Sequence, residues 1–297
     1  MITRMKAIAA VIVGLLFLNS AVNAQDDVKI EAIAVAGNIH MLIGQGGNIG
    51  VFTGTDGTFV VDDQFAPLSE KILAAVKSIG GDSPKFLLNT HFHGDHTGGN
   101  ENFAKKGALI VSHDNVRERL VNGSFIAAFG MRTGPAPRPA LPAVTFSEDI
   151  HFHINNESVR AIHVPNAHTD GDSFIYFKNA NVVHTGDVFF NGFYPFIDSA
   201  HGGSLKGTIA GVDKILSITD VNSKIIPGHG PLADRAQLQA YRDMLSTAYE
   251  RLLKLKNEGV SAEDAIIQKP LVDLEKKWGN GIFTGEKWIK IIYPGVY

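Results

Sequence analysis

The segment His91-Phe92-His93-Gly94-Asp95-His96 places three imidazoles and a carboxylate within six positions. It follows Lys85 to Thr90, a short apolar run that reads as a strand. Side chains on an extended backbone alternate with period two, so His91 and His93 face the same side and can share one metal ion. Gly94 lets the chain turn, which sends Asp95 and His96 to a neighbouring position. Imidazole and carboxylate are donors that zinc accepts, and a catalytic zinc keeps one position open for water. The chain contains no cysteine. Thiolate ligation, a thiolate nucleophile and a disulfide framework are therefore excluded. This density of donors, followed by Thr97-Gly98-Gly99-Asn100, points to a metal centre rather than to a chance cluster of surface histidines.

The element resembles the His-x-His-x-Asp-His signature of the metallo-β-lactamase superfamily. Three later segments are similar to further elements of that family, in the expected order: Val164-Pro165-Asn166-Ala167-His168-Thr169-Asp170-Gly171, His184-Thr185-Gly186-Asp187 and Ile226-Pro227-Gly228-His229-Gly230. The resemblance implies that His91, His93 and His168 hold one zinc, that Asp95, His96 and His229 hold a second, and that Asp187 bridges them. It implies two metal ions per chain, with manganese or iron as alternatives to zinc, and a bridging hydroxide that attacks a carbonyl. Asp95 is the catalytic residue it implies, orienting that hydroxide. The implied fold is α+β, a four-layer αβ/βα sandwich with the site at one edge between two lobes. Asp62 resembles the family's early aspartate, which accepts a proton from a ligand histidine and fixes its tautomer. A turn-capping role is the alternative.

Other candidates carry weaker signals. His201 lies in Ser199-Ala200-His201-Gly202-Gly203-Ser204, a loop 14 residues beyond Asp187, and is a candidate substrate contact. Phe125, Ile126, Phe129 and Met131 form an apolar stretch that reads either as a substrate wall or as core. His151-Phe152-His153 repeats the His-x-His spacing without an Asp-His after it, and reads as a solvated strand face. His184 sits within an apolar strand and reads as a hydrogen-bonded core residue. His113 reads as a neighbour of a helix cap, and His40 and His163 as structural.

These residues need a scaffold, and the pattern supplies one. Strands are expected at 39–43, 48–53, 58–62, 85–90, 108–112, 143–147, 149–154, 158–164, 173–177, 181–185 and 224–226. Helices are expected after Pro67, at 98–105, 114–121 and 205–217, and beyond Pro231. There Leu238, Tyr241, Leu245, Ala248, Leu252 and Leu255 form a stripe that ends at Gly259. Ser261 and Asp264 resemble a capping box opening one more short helix. Residues 25–297 read as a single domain with a helical C-terminal part from about 232. Residues 1–24 read as a signal peptide. Arg4 and Lys6 precede the apolar run Ala7 to Leu18, and Val22-Asn23-Ala24 resembles a cleavage site. Twelve apolar residues are too few for an ordinary membrane span. Cleavage would remove Arg4 and Lys6 and take the net charge from −3 to −5. Such a chain is expected in the periplasm, free of the membrane.

Composition narrows the function. Basic residues number 27 against 30 acidic and do not cluster, which excludes nucleic acid as the main partner. The expected partner is a small-molecule substrate. In the best-known lactamase subclasses a cysteine or serine stands where Asp187 stands here, so the ligand set resembles that of thioesterases and lactonases. The signal peptide favours a β-lactam, which is met in the periplasm. The expectation is thus a periplasmic dinuclear zinc hydrolase with β-lactam hydrolysis named first. A thioester hydrolase of the glyoxalase II type or a lactonase is the alternative, and a non-catalytic zinc-binding accessory protein the third reading.

Overall fold

The computed structural model describes residues 27–297, so the expected signal peptide lies outside the described residues. The chain begins with β1 (Glu31–Ala36), β2 (Ile39–Ile43), β3 (Ile49–Phe52) and β4 (Thr58–Val61). Then follow α1 (Ser69–Ser78), β5 (Pro84–Leu88), α2 (Gly94–Thr97), α3 (Asn100–Lys105), β6 (Leu109–His113) and α4 (Asp114–Asn122). A small hairpin of β7 (Ser124–Ile126) and β8 (Met131–Thr133) precedes β9 (Val144–Phe146). The second half runs β10 (Asp149–Ile154), β11 (Glu157–His163), β12 (Ser173–Phe177), β13 (Val182–His184), α5 (Leu205–Ile218), β14 (Lys224–Ile226) and β15 (Ala233–Asp234). Four helices close the chain: α6 (Arg235–Asn257), α7 (Ala262–Ile267), α8 (Val272–Trp278) and α9 (Gly285–Ile292).

One sheet has seven strands in the order β1-β2-β3-β4-β5-β6-β9, and the other six in the order β10-β11-β12-β13-β14-β15. The first changes from antiparallel to parallel pairing at β4 and β5. The second is antiparallel except where β13 runs parallel to β14. Alternation decides which residues meet. Phe59 and Val61 of β4, Leu88 of β5, and Ile175 and Phe177 of β12 share one core between the sheets. Phe177 meets Phe52 and Phe59 edge to face, at ring separations of 5.7 and 6.3 Å. Such contacts contribute about 0.5–1.5 kcal/mol beyond their buried area. The opposite faces take the helices. Val60 and Leu87 pack under Ile72 and Val76 of α1 and Phe103 of α3. Phe174 and Val183 pack under Val212 of α5 and the Leu238-Tyr241-Leu245 stripe of α6. The layers therefore run helix, sheet, sheet, helix, the sandwich that the resemblance implied.

Local chemistry sets the breaks. The expected helix 98–105 forms as α3, which starts at Asn100, with Gly98-Gly99 parting it from the single turn α2. The reciprocal capping box opens α6, between Asp234 and Gln237, whereas Ser261 caps α7 by accepting from the Asp264 amide. The apolar stretch at 125–131 joins the core only through Ile126 and is not a continuous wall. It forms the β7–β8 hairpin, with Phe125, Phe129 and Met131 exposed. Three-residue strands are too short to show the alternation that would announce them.

His113 and His163 stack face to face, with centroids 3.7 Å apart and planes 10° off parallel, and tie the two sheets together. His113 accepts from the Asn115 amide and pairs through Nε2 with the Ser147 carbonyl. His163 Nδ1 pairs with the Asp172 carbonyl. Burial, with the neighbouring imidazole, lowers the His163 pKa to about 4. Between that value and the ordinary 6.5 the unfolded chain binds the proton and the folded one does not. The pair's contribution is therefore complete above pH ~6.5 and lost as the pH falls toward ~4. Melting temperature followed from pH 7 to pH 4.5 should fall less steeply in His163→Gln than in the wild type. Parallel curves would show that this imidazole does not contribute.

Candidate metal centre

Every candidate ligand lies just beyond the C-terminal end of a strand. His91 and His93 follow β5, and the single turn α2 carries Asp95 and His96. His168 follows β11, Asp187 follows β13 and His229 follows β14. The first sheet thus supplies four donors and the second three. They converge in two groups, His91, His93, His168 and Asp187, and Asp95, His96 and His229. Within each group one donor atom per residue lies within 4.8 Å of the others.

Asp187 stands between the groups. Its Oδ1 is 3.1 Å from His96 Nε2, and its Oδ2 is 3.4 Å from His168 Nε2, 3.5 Å from His229 Nε2 and 3.7 Å from His91 Nε2. His168 Nε2 and His93 Nδ1 face one another at 2.8 Å. Asp95 Oδ2 closes the other end, 3.3 Å from His229 Nε2 and 3.7 Å from His96 Nε2. His91, His96, His168 and Asp187 are buried, while the Asp95 and His229 side chains keep 28% and 20% of their surface. Solvent therefore reaches the cluster along the Asp95–His229 edge.

The outer ring nitrogens are tied. His91 Nδ1 pairs with Thr90 Oγ1 at 3.1 Å, His168 Nδ1 with the Phe196 carbonyl at 2.8 Å, and His96 Nδ1 with Asp62 Oδ2 at 2.7 Å. Asp62 also accepts from the Thr90 amide and hydroxyl, and its φ of +63° departs from the strand to aim its carboxylate inward. That is the tautomer-fixing arrangement rather than a turn cap. His93 Nε2 pairs with Asp198 Oδ2 at 3.0 Å, and the same oxygen is 2.6 Å from His201 Nδ1. His201 thus enters the site through Asp198, not as an exposed substrate contact. Asp198 itself carries no sequence signal, because its partner His93 is 105 residues away. Phe196 was also missed, and its ring lies 5.8 Å from that of His93 and 5.7 Å from that of His168. Phe129 meets Phe196 at 4.9 Å, whereas Phe125 lies beneath the Arg132 guanidinium. His184 is buried and paired with the Asn48 carbonyl, and His151 and His153 are exposed.

Metal ions fit these residues. His91 Nε2 is buried without a hydrogen-bond partner while pointing into the cluster, and all the inward donors are nitrogen or oxygen. The electrostatics agree. Burial lowers His168 to about 4 and, with the His96 charge, holds His91 well below its ordinary value. Both are neutral lone-pair donors at neutral pH. At His229 burial is outweighed by Asp187, which raises it to about 9, and at His96 by Asp187, Asp95 and Asp62. The same imidazoles, led by His96, overcome burial at Asp95 and lower it to about 2. A cation taken up here exchanges with protons on His96 and His229.

Comparison with known proteins agrees with this geometry. Residues 42–242 match the model of the metallo-beta-lactamase superfamily. A hydroxyacylglutathione hydrolase of Pelagibacter ubique is 31% identical over 108 residues, 36% of this chain and 37% of that protein. The match thus spans little more than a third of that relative's length. The probable metallo-hydrolase YqgX of Bacillus subtilis is 29% identical over 182 residues, 59% of this chain and 84% of its own. Among solved structures, the DIM-1 metallo-beta-lactamase superposes with a TM-score of 0.58 at 15% identity, over 75% of this chain and 100% of that one. At that identity the likeness is one of fold.

Two outcomes follow from the centre's construction. Zinc titrated calorimetrically at pH 7 in buffers of different ionisation enthalpy should release protons, since His96 and His229 must give theirs up; heats independent of the buffer would contradict this. Replacing the carboxylate behind His93, Asp198→Ala, should weaken metal uptake by about 10–100-fold. Unchanged affinity in a chelator competition would remove Asp198 from the centre.

Proposed function

The chain belongs to the metallo-beta-lactamase superfamily, and from that premise we propose a metal-dependent hydrolase that opens an activated carbonyl, with a β-lactam ring as the first named substrate. The observation that carries this reading is the buried Asp187 carboxylate between two histidine groups, with a solvent-facing edge at Asp95. Two zinc ions, one held by His91, His93, His168 and Asp187 and one by Asp95, His96 and His229, would supply Lewis acidity and a water acidified toward neutral pH.

The chain's own groups do the rest. Asp95, ionised at neutral pH, accepts a hydrogen bond at the edge where solvent arrives and orients the attacking water. Asp62 and Asp198 hold His96 and His93 in the tautomers that turn a lone pair inward. Phe196 and Phe190 line the histidines with aromatic rings and restrict water beside them. In the net reaction water adds across the acyl bond. Its oxygen joins the carbonyl carbon, the bond to nitrogen, sulfur or oxygen breaks, and the leaving group takes a proton.

A second reading, a thioester or lactone as substrate, is supported by the hydroxyacylglutathione hydrolase relative and by an aspartate at position 187. The N-terminal segment with Arg4, Lys6 and the apolar run supports export to the periplasm, where β-lactams are met. Among the described residues no helix is long and apolar enough to cross a membrane.

Purified protein cleaved after Ala24 should turn over at least one of a penicillin, a carbapenem, a homoserine lactone and a glutathione thioester. The activity should vanish with a chelator and return with zinc. No turnover of any of the four by the zinc-loaded protein would favour a binding role. Asp95→Asn should keep the fold and lose about two orders of magnitude or more in kcat, comparable to removing a central electrostatic element. A wild-type rate with zinc in excess would refute the assigned role.

A further inference from the structure

The helix α9 lies beyond residue 242, outside the stretch shared with the superfamily. Trp288, Ile289 and Ile292 bury its inner face. Trp288 stacks on Tyr194 at 4.5 Å and 12°, and its Nε1 donates to the Pro195 carbonyl at 2.7 Å. These contacts fix α9 against the segment that links Asp187 to His201. A cavity of about 540 Å³ opens between them, with Ala127 and Ala128 from the end of the β7–β8 hairpin as its third wall. Two of its walls are shared with the metal centre. Phe196 lies against the His93 and His168 rings, and Asp198 holds His93.

The lining is of two kinds. Phe196, Phe283 and Ile291 make it apolar, while Lys287 and Lys290, spaced i and i+3 and so on one side of α9, bring ammonium groups to it. Both lysines are exposed, and neither side-chain ammonium has an ion pair or hydrogen bond among the described residues. The helix's one acidic residue, Glu286, lines a different cavity. Asp198, the only carboxylate in the lining, is engaged by His93 and His201. In a chain with net charge −3, two unpaired cations over an aromatic pocket mark a place for an amphipathic anion.

Building on the hydrolase reading, we propose that this cavity is the substrate-specificity site. It takes a carboxylate-bearing substrate whose apolar body lies on Phe196 and Phe283 and whose carboxylate meets Lys287 and Lys290. The end of the substrate away from the lysines then points to the side where Phe196 borders the His93 and His168 rings. An aromatic surface with two cations at its rim selects against neutral acyl compounds and against anions that lack an apolar body.

The probes are 4-phenylbutyrate and its neutral amide, titrated into the zinc-loaded full chain and, in parallel, into the chelator-treated chain. The acid should bind more tightly than the amide in both. Lys287→Ala with Lys290→Ala should weaken the acid about tenfold, toward the amide, as expected for two exposed charge pairs. The double arginine variant should restore it, and raised salt should erode the difference. Neither lysine belongs to the core, so the variants retain the fold, checked by melting temperature. Among carboxylate-bearing substrates that turn over, the double alanine variant should raise KM and leave kcat nearly unchanged. Equal binding of the acid by wild type and double alanine variant, or no saturable binding to the wild type, overturns the proposal. Lysine-dependent binding of the acid without turnover of any substrate would overturn the hydrolase reading and, with it, the substrate role, leaving the cavity as an anion-binding site only.

Discussion

A carboxylate with almost no solvent exposure, Asp187, sits within reach of four imidazoles. An ionised group so buried costs several kcal/mol unless opposite charge and hydrogen bonds surround it. Much of the structure follows from meeting that requirement. Imidazoles are the partners, and a partner behind the outer nitrogen fixes which nitrogen of the ring turns inward. Asp62, Asp198, Thr90 and the Phe196 carbonyl do so. A divalent cation satisfies the same requirement more fully, which is why the cluster reads as a metal centre and not as a buried ion-pair network.

The two-sheet architecture makes the convergence feasible. β4 and β5 run parallel in one sheet, and β13 and β14 in the other, so strand ends that carry ligands emerge side by side. The phenylalanine-rich core between the sheets sets their separation, and the loops then need only short reaches. Close approach demands glycine at two places. A Cβ on Gly228 would stand 2.1 Å from Asp187 Oδ1, and one on Gly47 the same distance from His96 Cε1. Any other residue there would push a ligand aside.

The C-terminal helices add to this shared scaffold. Most of α6 packs on the second sheet, but α9 is anchored to the loop that holds the second line of support, through Trp288 and Tyr194. Burying a side chain of that size contributes on the order of 2–3 kcal/mol. Its further effect is geometric, because it fixes the wall facing Phe196 and Asp198. The metal-centre residues all lie in the part of the chain that matches the superfamily, and Phe283, Lys287, Lys290 and Ile291 of the neighbouring cavity lie in the part beyond it.

The sequence by itself determined what is local. Strand alternation, the α6 stripe and the run from His91 to His96 are legible because period and spacing act within a few residues. His168, Asp187 and His229 became legible only through their resemblance to a known order of motifs, since each is a lone residue after a strand. The tertiary structure alone decided the rest. It alone put Asp198 behind His93 and drew His201 away from solvent. It alone built the 124–133 hairpin, stacked His113 on His163 and brought Lys287 beside Phe196. These contacts join residues up to about a hundred positions apart, where no periodicity links one side chain to another. What brings them together is the packing of two sheets and their helices, and that packing is a property of the whole chain.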